Sequence, residues 1–359
     1  MEESKKSSNG IKILIVLLIL LMIVAGVLVA IKFIQGNKIK QTQTSAGVEE
    51  NKEPEKEVIK LPTTFAGKDR PIAVMIDNNI NAMPQAGLLE ADLVYEIIVE
   101  GGETRMMAVL KGKDVEKIGP VRSSRHYFLD YALENDAIYV HFGWSPQAES
   151  DISTMGVNNI NGLYYDGSYF WRVSEKYAPH NAVISTKNIL KVAENNEYRT
   201  SEQKPVLNYV ADEIELEDGK EAETITIPYS DYNTVKYTYN EDKKEYVRYS
   251  RGKKQVDWNT DTTITTKNII VTFAENYSLN DGSGKGRQGL ENIGKLKGYY
   301  ITNGKAIEIT CEKTSRTTQT VYKDLQGNEI KVNDGKTFIQ ICPLNANVKI
   351  EGNTKTTEK

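Results

Sequence analysis

The chain has 359 residues, 26% of them charged and 39% hydrophobic, with a formal charge of −4 at pH 7. Its pI near 5.7 excludes the broad basic field on which nucleic-acid binding depends, so no nucleic acid is expected as a partner. The only two cysteines, Cys311 and Cys342, have no metal-type spacing, which excludes a cysteine-built zinc site.

After a polar tail at 1–10, the segment 11–34 holds an apolar run that starts at Ile13 and ends at Ile31. It has no charge, polar side chain or proline and is closed by Lys12 and Lys32. At helical rise the run covers roughly 28 Å, the hydrocarbon thickness of a bilayer. A cleaved signal peptide ending near Val24-Ala25-Gly26 is the competing reading, but its apolar region is normally about 7–15 residues long. Lys5, Lys6 and Lys12 on one side match Lys32, Lys38 and Lys40 on the other, so the positive-inside count does not orient the helix. A short tail with everything else following is the layout of a signal-anchor that exports the remainder. The membrane is therefore the first expected partner.

Residues 35–68 mix Lys, Gln, Thr, Glu and Pro with little to bury and read as a disordered linker. From 69 to 212, strand patterns at 72–76, 93–99, 106–110, 115–121 and 137–142 alternate with helix patterns at 124–134, 146–155 and 186–195. This predicts an α/β domain. A polar stretch places a boundary at 212–222. Between 220 and 350, short strands at 224–227, 235–239, 246–249, 268–274, 297–302, 306–311, 317–322 and 337–342 predict an all-β domain, and 351–359 is a polar tail. In this region Tyr237 and Tyr239 are expected to face Tyr246 and Tyr249 across a hairpin. Cys311 and Cys342 are either a disulfide between neighbouring strands or two buried thiols.

If 111–114 is a hairpin turn, Arg105 and Arg122 become neighbours. Arg122 also precedes a helix starting near Ser123 or Ser124, and Arg125 falls in its first turn. Guanidinium groups gathered at a helix N-terminus oppose one another and the dipole, so something negative belongs there. Either Glu100, Glu103 or Asp77 supplies it, or a phosphate, pyrophosphate or carboxylated glycan does. Asp77 and Asn78 follow the first strand, and His141 ends the strand at 137–142. Strand ends along one edge are where open α/β sheets hold ligands. Arg172, His180 and Asn181 lie in loop-like sequence suited to a pocket wall. His126, His141 and His180 match no helix-borne metal pair, so no metal is expected from them. Gly143-Trp144-Ser145 fails as a nucleophile elbow, because Gln147 stands where glycine is required. Ser145 before Pro146 reads instead as a helix N-cap. The run 282–289 lacks the Ser or Thr after Gly284-Lys285 that a phosphate-binding loop requires, and is expected to be a mobile inter-strand loop.

The strings RPIAVMIDN at 70–78, QAGLLEADLVYE at 85–96, EGG at 100–102, TR at 104–105, IGPVRS at 118–123 and PHN at 179–181 resemble the YerB family of bacterial envelope proteins. VKY at 235–237, YVR at 246–248, Asp257 and KNIIV at 267–271 are similar to that family's C-terminal domain. The family is commonly lipid-anchored. The resemblance implies an exported body here, with the helix replacing the lipid, and assigns no activity. The order of Asp77, Arg105, Arg122 and the segment 141–145 is also similar to the LytR-CpsA-Psr envelope proteins, which transfer glycans from polyprenyl pyrophosphate to peptidoglycan. That resemblance implies Asp77 holding Mg²⁺ or Mn²⁺; without it no cofactor is expected. Three expectations follow: an anion-binding envelope protein whose β domain contacts glycan or a protein partner, a glycan phosphotransferase, or a purely structural interaction module.

Overall fold

A computed structural model describes residues 60–200 and 203–352. The apolar run from Ile13 to Ile31, the tail at 1–10, the linker up to residue 59 and the last residues of the polar tail lie outside the described residues. Among the described residues no helix is long and apolar enough to cross a membrane.

The first half contributes strands β1 (Ile72–Asp77), β2 (Leu93–Ile98), β3 (Thr104–Leu110), β4 (Ile138–His141) and β5 (Asn159–Asn161). Between and after them lie helices α1 (His126–Glu134), α2 (Pro146–Thr154) and α3 (Thr186–Asn195). The second half is β-rich. It supplies β6 (Thr224–Ser230), β7 (Asn233–Asn240), β8 (Glu245–Ser250), β9 (Asn268–Ser278), β10 (Gly294–Thr302), β11 (Lys305–Lys313), β12 (Val321–Lys323) and β13 (Thr337–Pro343).

One mixed sheet runs β12-β11-β10-β9-β13-β2-β3-β1-β4-β5 and crosses the expected boundary at 212–222. Its centre is β13, parallel to β9 on one side and to β2 on the other. Every residue of β1, β2, β3 and β13 is buried. Their near-continuous apolar sequence follows from cover on both faces. On one face Val74, Val94, Ala108 and Phe338 pack against the smaller sheet β6–β8 and α3 through Ile227, Val235, Tyr237 and Ile189. On the other, Met75, Tyr95, Met107 and Ile339 pack against Tyr127, Phe128 and Tyr131 of α1.

Two buried ion pairs tie these layers. Arg248 of β8 meets Glu96 of β2 at 2.7 Å with both side chains wholly excluded from solvent. Around them, Asn78 and Thr104 donate to Glu96 Oε1, Gln255 accepts from Arg248 Nε, and the Tyr237 hydroxyl accepts from its Nη1. Lys313 of β11 meets Glu134 of α1 at 2.8 Å, and Glu134 also accepts from the hydroxyls of Tyr95 and Thr320.

Three expectations change. Residues 115–121 form no strand: their backbone makes single bridges to three different segments in turn, Ile118 to Ile184, Gly119 to Ala86 and Val121 to the end of β1 at Ile76 that β4 leaves free, so no continuous ladder forms. Helix α1 begins at His126 with Arg125 as its N-cap, so Arg125 precedes the first turn instead of lying in it. The disulfide reading fails, since Cys311 and Cys342 are free, three strands apart and packed on opposite faces of the sheet. The hairpin is present and sets Tyr239 opposite Tyr246 at a ring separation of 5.1 Å, but Tyr237 faces Arg248 and Tyr249 faces Lys236. Ser145 caps α2 by accepting from the Ala148 amide, with Pro146 behind it. Ser145→Ala is expected to cost about 1 kcal/mol of stability, measurable as a lowered thermal midpoint, whereas Ser145→Asp retains the cap.

Candidate functional site

Strands β1, β2, β4, β9 and β13 run parallel, so Asp77, Ile98, His141 and Ser278 end on one edge of the sheet. Strand β3 begins there, and its register sets Arg105 between Asp77 of β1 and Ile97 of β2. Segment 120–122 passes over the end of β1: the Asp77 amide donates to Pro120 O and the Arg122 amide to Met75 O, both at 2.9 Å. The turn 100–102 takes positive φ at Gly101 and Gly102, and a Cβ on Gly102 would lie 2.8 Å from Ser230 Cβ. Glycine at 102 thus permits the small sheet to approach the sheet edge.

These elements enclose a cavity of about 410 Å³ whose walls include Asp77, Glu100, Arg105, Arg122, Arg125 and His180. Asp77 Oδ2 accepts from His180 Nδ1 at 2.7 Å and pairs with Arg122 Nε at 3.1 Å, while its Oδ1 accepts from the Asn79 amide. Glu100 takes Arg125 Nε at 2.5 Å and lies 3.9 Å from Arg105 Nη2. Arg105 also donates to Ser123 O at 2.5 Å.

The titrations follow from these contacts. Burial alone would raise Asp77, but the His180 hydrogen bond and the Arg122 charge outweigh it and hold the carboxyl below its ordinary range. Glu100 behaves likewise, with Arg125 overcoming burial. Burial and then the charge of Arg125 pull Arg105 down to about 10, the mark of a cation crowded by its own kind.

The cavity reaches beyond the residues the sequence suggests. Trp144 and Ser123 form part of one wall, and Lys285 and Arg287 enter from the loop after β9. That loop stood out only as a failed phosphate-loop match, and its alternating glycines with two cations were the available signal. Including direct ion-pair partners, six cations (Arg105, Arg122, Arg125, Arg251, Lys285, Arg287) meet four carboxylates (Asp77, Glu100, Glu103, Asp281). The surplus is positive. Four expected residues lie elsewhere. Asn78 is buried beneath the site, bonding Glu96 and Thr104. His141 is enclosed, bonding Gly143 O and Asn159, and burial lowers it to about 4. Arg172 pairs with Asp166 and Asn181 in an outer loop.

Residues 61–199 match the description "Protein of unknown function (DUF3048) N-terminal domain" and 225–339 the corresponding C-terminal domain. YerB of Bacillus subtilis strain 168, a candidate lipoprotein by name, is 33% identical over 286 residues, covering 76% of this chain and 81% of its own length. The crystal structure of the Bacillus subtilis YerB protein superposes with a TM-score of 0.72 at 31% identity, over 81% of this chain and all of that one.

Proposed function

We propose, for a chain that belongs to the YerB-like family of paired DUF3048 N- and C-terminal domains, that it is a membrane-anchored extracytoplasmic envelope protein binding an anionic ligand between Arg105, Arg122 and Arg125. The lipoprotein name of the relative supports the envelope location, and the apolar run from Ile13 to Ile31 supplies the anchor. The observation that carries the ligand reading is the surplus of cations in an open cavity walled by Arg105, Arg122, Arg125, Lys285 and Arg287. Internal carboxylates neutralise part of that charge, and an anion from solution neutralises the rest.

A phosphotransferase would use the same arginines with Asp77 on a divalent cation. Here His180, Arg122 and the Asn79 amide occupy both Asp77 oxygens, an arrangement that favours binding without transfer. A glycan, a lipid headgroup or a protein partner bearing phosphate or carboxylate fits equally at this level.

The test is a thermal titration of the full-length protein in detergent with phosphate and pyrophosphate at low ionic strength. Saturation to a hundredfold over Kd is expected to stabilise the fold by about 2.7 kcal/mol. Arg122→Ala should abolish the shift, and added salt should weaken it. A flat titration of the parent, with Arg122→Ala melting at the parent temperature, would sink the reading.

A further inference from the structure

We infer that the loop 279–287 adds a second tier of cations to this cavity, and that the ligand carries two negatively charged groups, one for each tier, as a diphosphate does. The inference rests on the anion reading above. The inner tier, Arg105, Arg122 and Arg125, arises from the sheet edge and is held by Asp77 and Glu100. The outer tier, Lys285 and Arg287, sits at the tip of the hairpin in which β9 pairs with Gln288–Glu291. A single phosphate on the inner arginines leaves the outer pair unused.

Three features separate the outer tier from an ordinary charged loop. Among the described residues Lys285 makes no ion pair, whereas Arg287 is steadied by Asp281. Gly282, Gly284 and Gly286 take φ of +71°, +65° and +63°, while Ser283 and Lys285 between them do not take positive φ. No atom lies within 4 Å of a Cβ built on any of the three, so the backbone shape and not crowding calls for glycine. Alternation of this kind turns successive amides toward one concave side, a backbone arrangement that receives anions. Two amides are already used locally, Ser283 N by Asp281 and Lys285 N by the Ser283 hydroxyl. Those of Gly284 and Gly286 donate to no described residue.

Size and charge agree. The cavity of about 410 Å³ lies within the roughly 300–1,000 Å³ range of organic-ligand sites and exceeds what one phosphate fills. The surplus of two positive charges matches two singly charged groups, as in a diphosphate diester.

The deciding experiment is calorimetric titration of the full-length protein in detergent with inorganic phosphate and with pyrophosphate. Pyrophosphate is expected to bind about tenfold or more tightly than phosphate, because it engages both tiers. Lys285→Ala, and separately Lys285→Ala with Arg287→Ala, should bring pyrophosphate down to the affinity of phosphate while leaving phosphate within about twofold. Arg122→Ala should weaken both anions. Equal affinity for the two anions in the parent, or a preference that survives in both loop variants, overturns the two-tier inference and leaves the anion site standing. Failure of both anions to bind the parent overturns the anion site itself. The exposed position of Lys285 separates a binding effect from a folding effect, and an unchanged melting temperature for Lys285→Ala checks this.

Discussion

Replacing Arg248 with alanine is expected to lower stability by about 3–5 kcal/mol, the cost of breaking a buried ion pair from one side. Its guanidinium is fully buried between β8 and β2 and bonds Glu96, Gln255 and Tyr237. Burial by itself would lower its pKa, but Glu96 and the Tyr237 hydroxyl outweigh that and raise it, so Arg248 stays cationic in the folded state. Truncation leaves the Glu96 carboxyl without its cation in a dry interior, with only Asn78 and Thr104 to bond. The physical claim is that the cost comes from the stranded carboxylate and not from the lost pair. Combining Arg248→Met with Glu96→Gln should therefore recover most of the loss, because similar volume is kept and no charge is left alone. The exposed Lys191–Glu194 pair provides the contrast, with an expected effect of about 0–1 kcal/mol. Urea unfolding followed by tryptophan fluorescence reads Arg248→Ala, the double variant and a Lys191→Ala control. A double variant no more stable than Arg248→Ala would contradict the stranded-charge account.

Acidification from pH 6.5 to 4.5 is expected to remove about 1 kcal/mol per pH unit for each of two histidines. Burial lowers both His126 and His141 to about 4, His126 with help from the charge of Arg316. The unfolded chain titrates near 6.5 and so binds more protons than the folded one throughout this window. Stability is then complete above pH 6.5 and falls as the pH drops toward the folded value, the same sense as for Asp77 and Glu100 at lower pH. His141→Gln should lose stability at pH 7.5 while flattening this part of the profile by one histidine's share. An unaltered slope would show that His141 is not held neutral.

The local part of this architecture was legible in the sequence. The spans of β1, β2 and β6–β8 follow from alternating or continuous apolar runs, and Ser145 with Pro146 announces α2, because each depends on neighbours in the chain. Residues 115–121 were misread for the opposite reason. Their apolar pattern is real and Val115, Ile118 and Val121 are buried, but their partners are distant segments around Ala86, Ile184 and Ile76. The arginines do converge, though through Asp77 and the passage of 120–122 over β1, not through a hairpin. Glu96 and Arg248 sit in strands far apart in the chain, and nothing local says that they meet. Lys285 and Arg287 were out of reach for the same reason, since their place depends on the parallel alignment of β9 with β13 and β2.

The central place of Thr337–Pro343 also has a timing consequence. On a chain made from its N-terminus, β2 is complete at Ile98, yet one of its two flanks is closed only by residues that follow about 240 positions later. At roughly 5–20 residues per second, that flank stays open for on the order of 10–50 s. During this interval the nascent chain exposes an apolar strand margin able to pair with any neighbour. The central sheet therefore cannot close until the strand nearest the C-terminus is in place between β2 and β9.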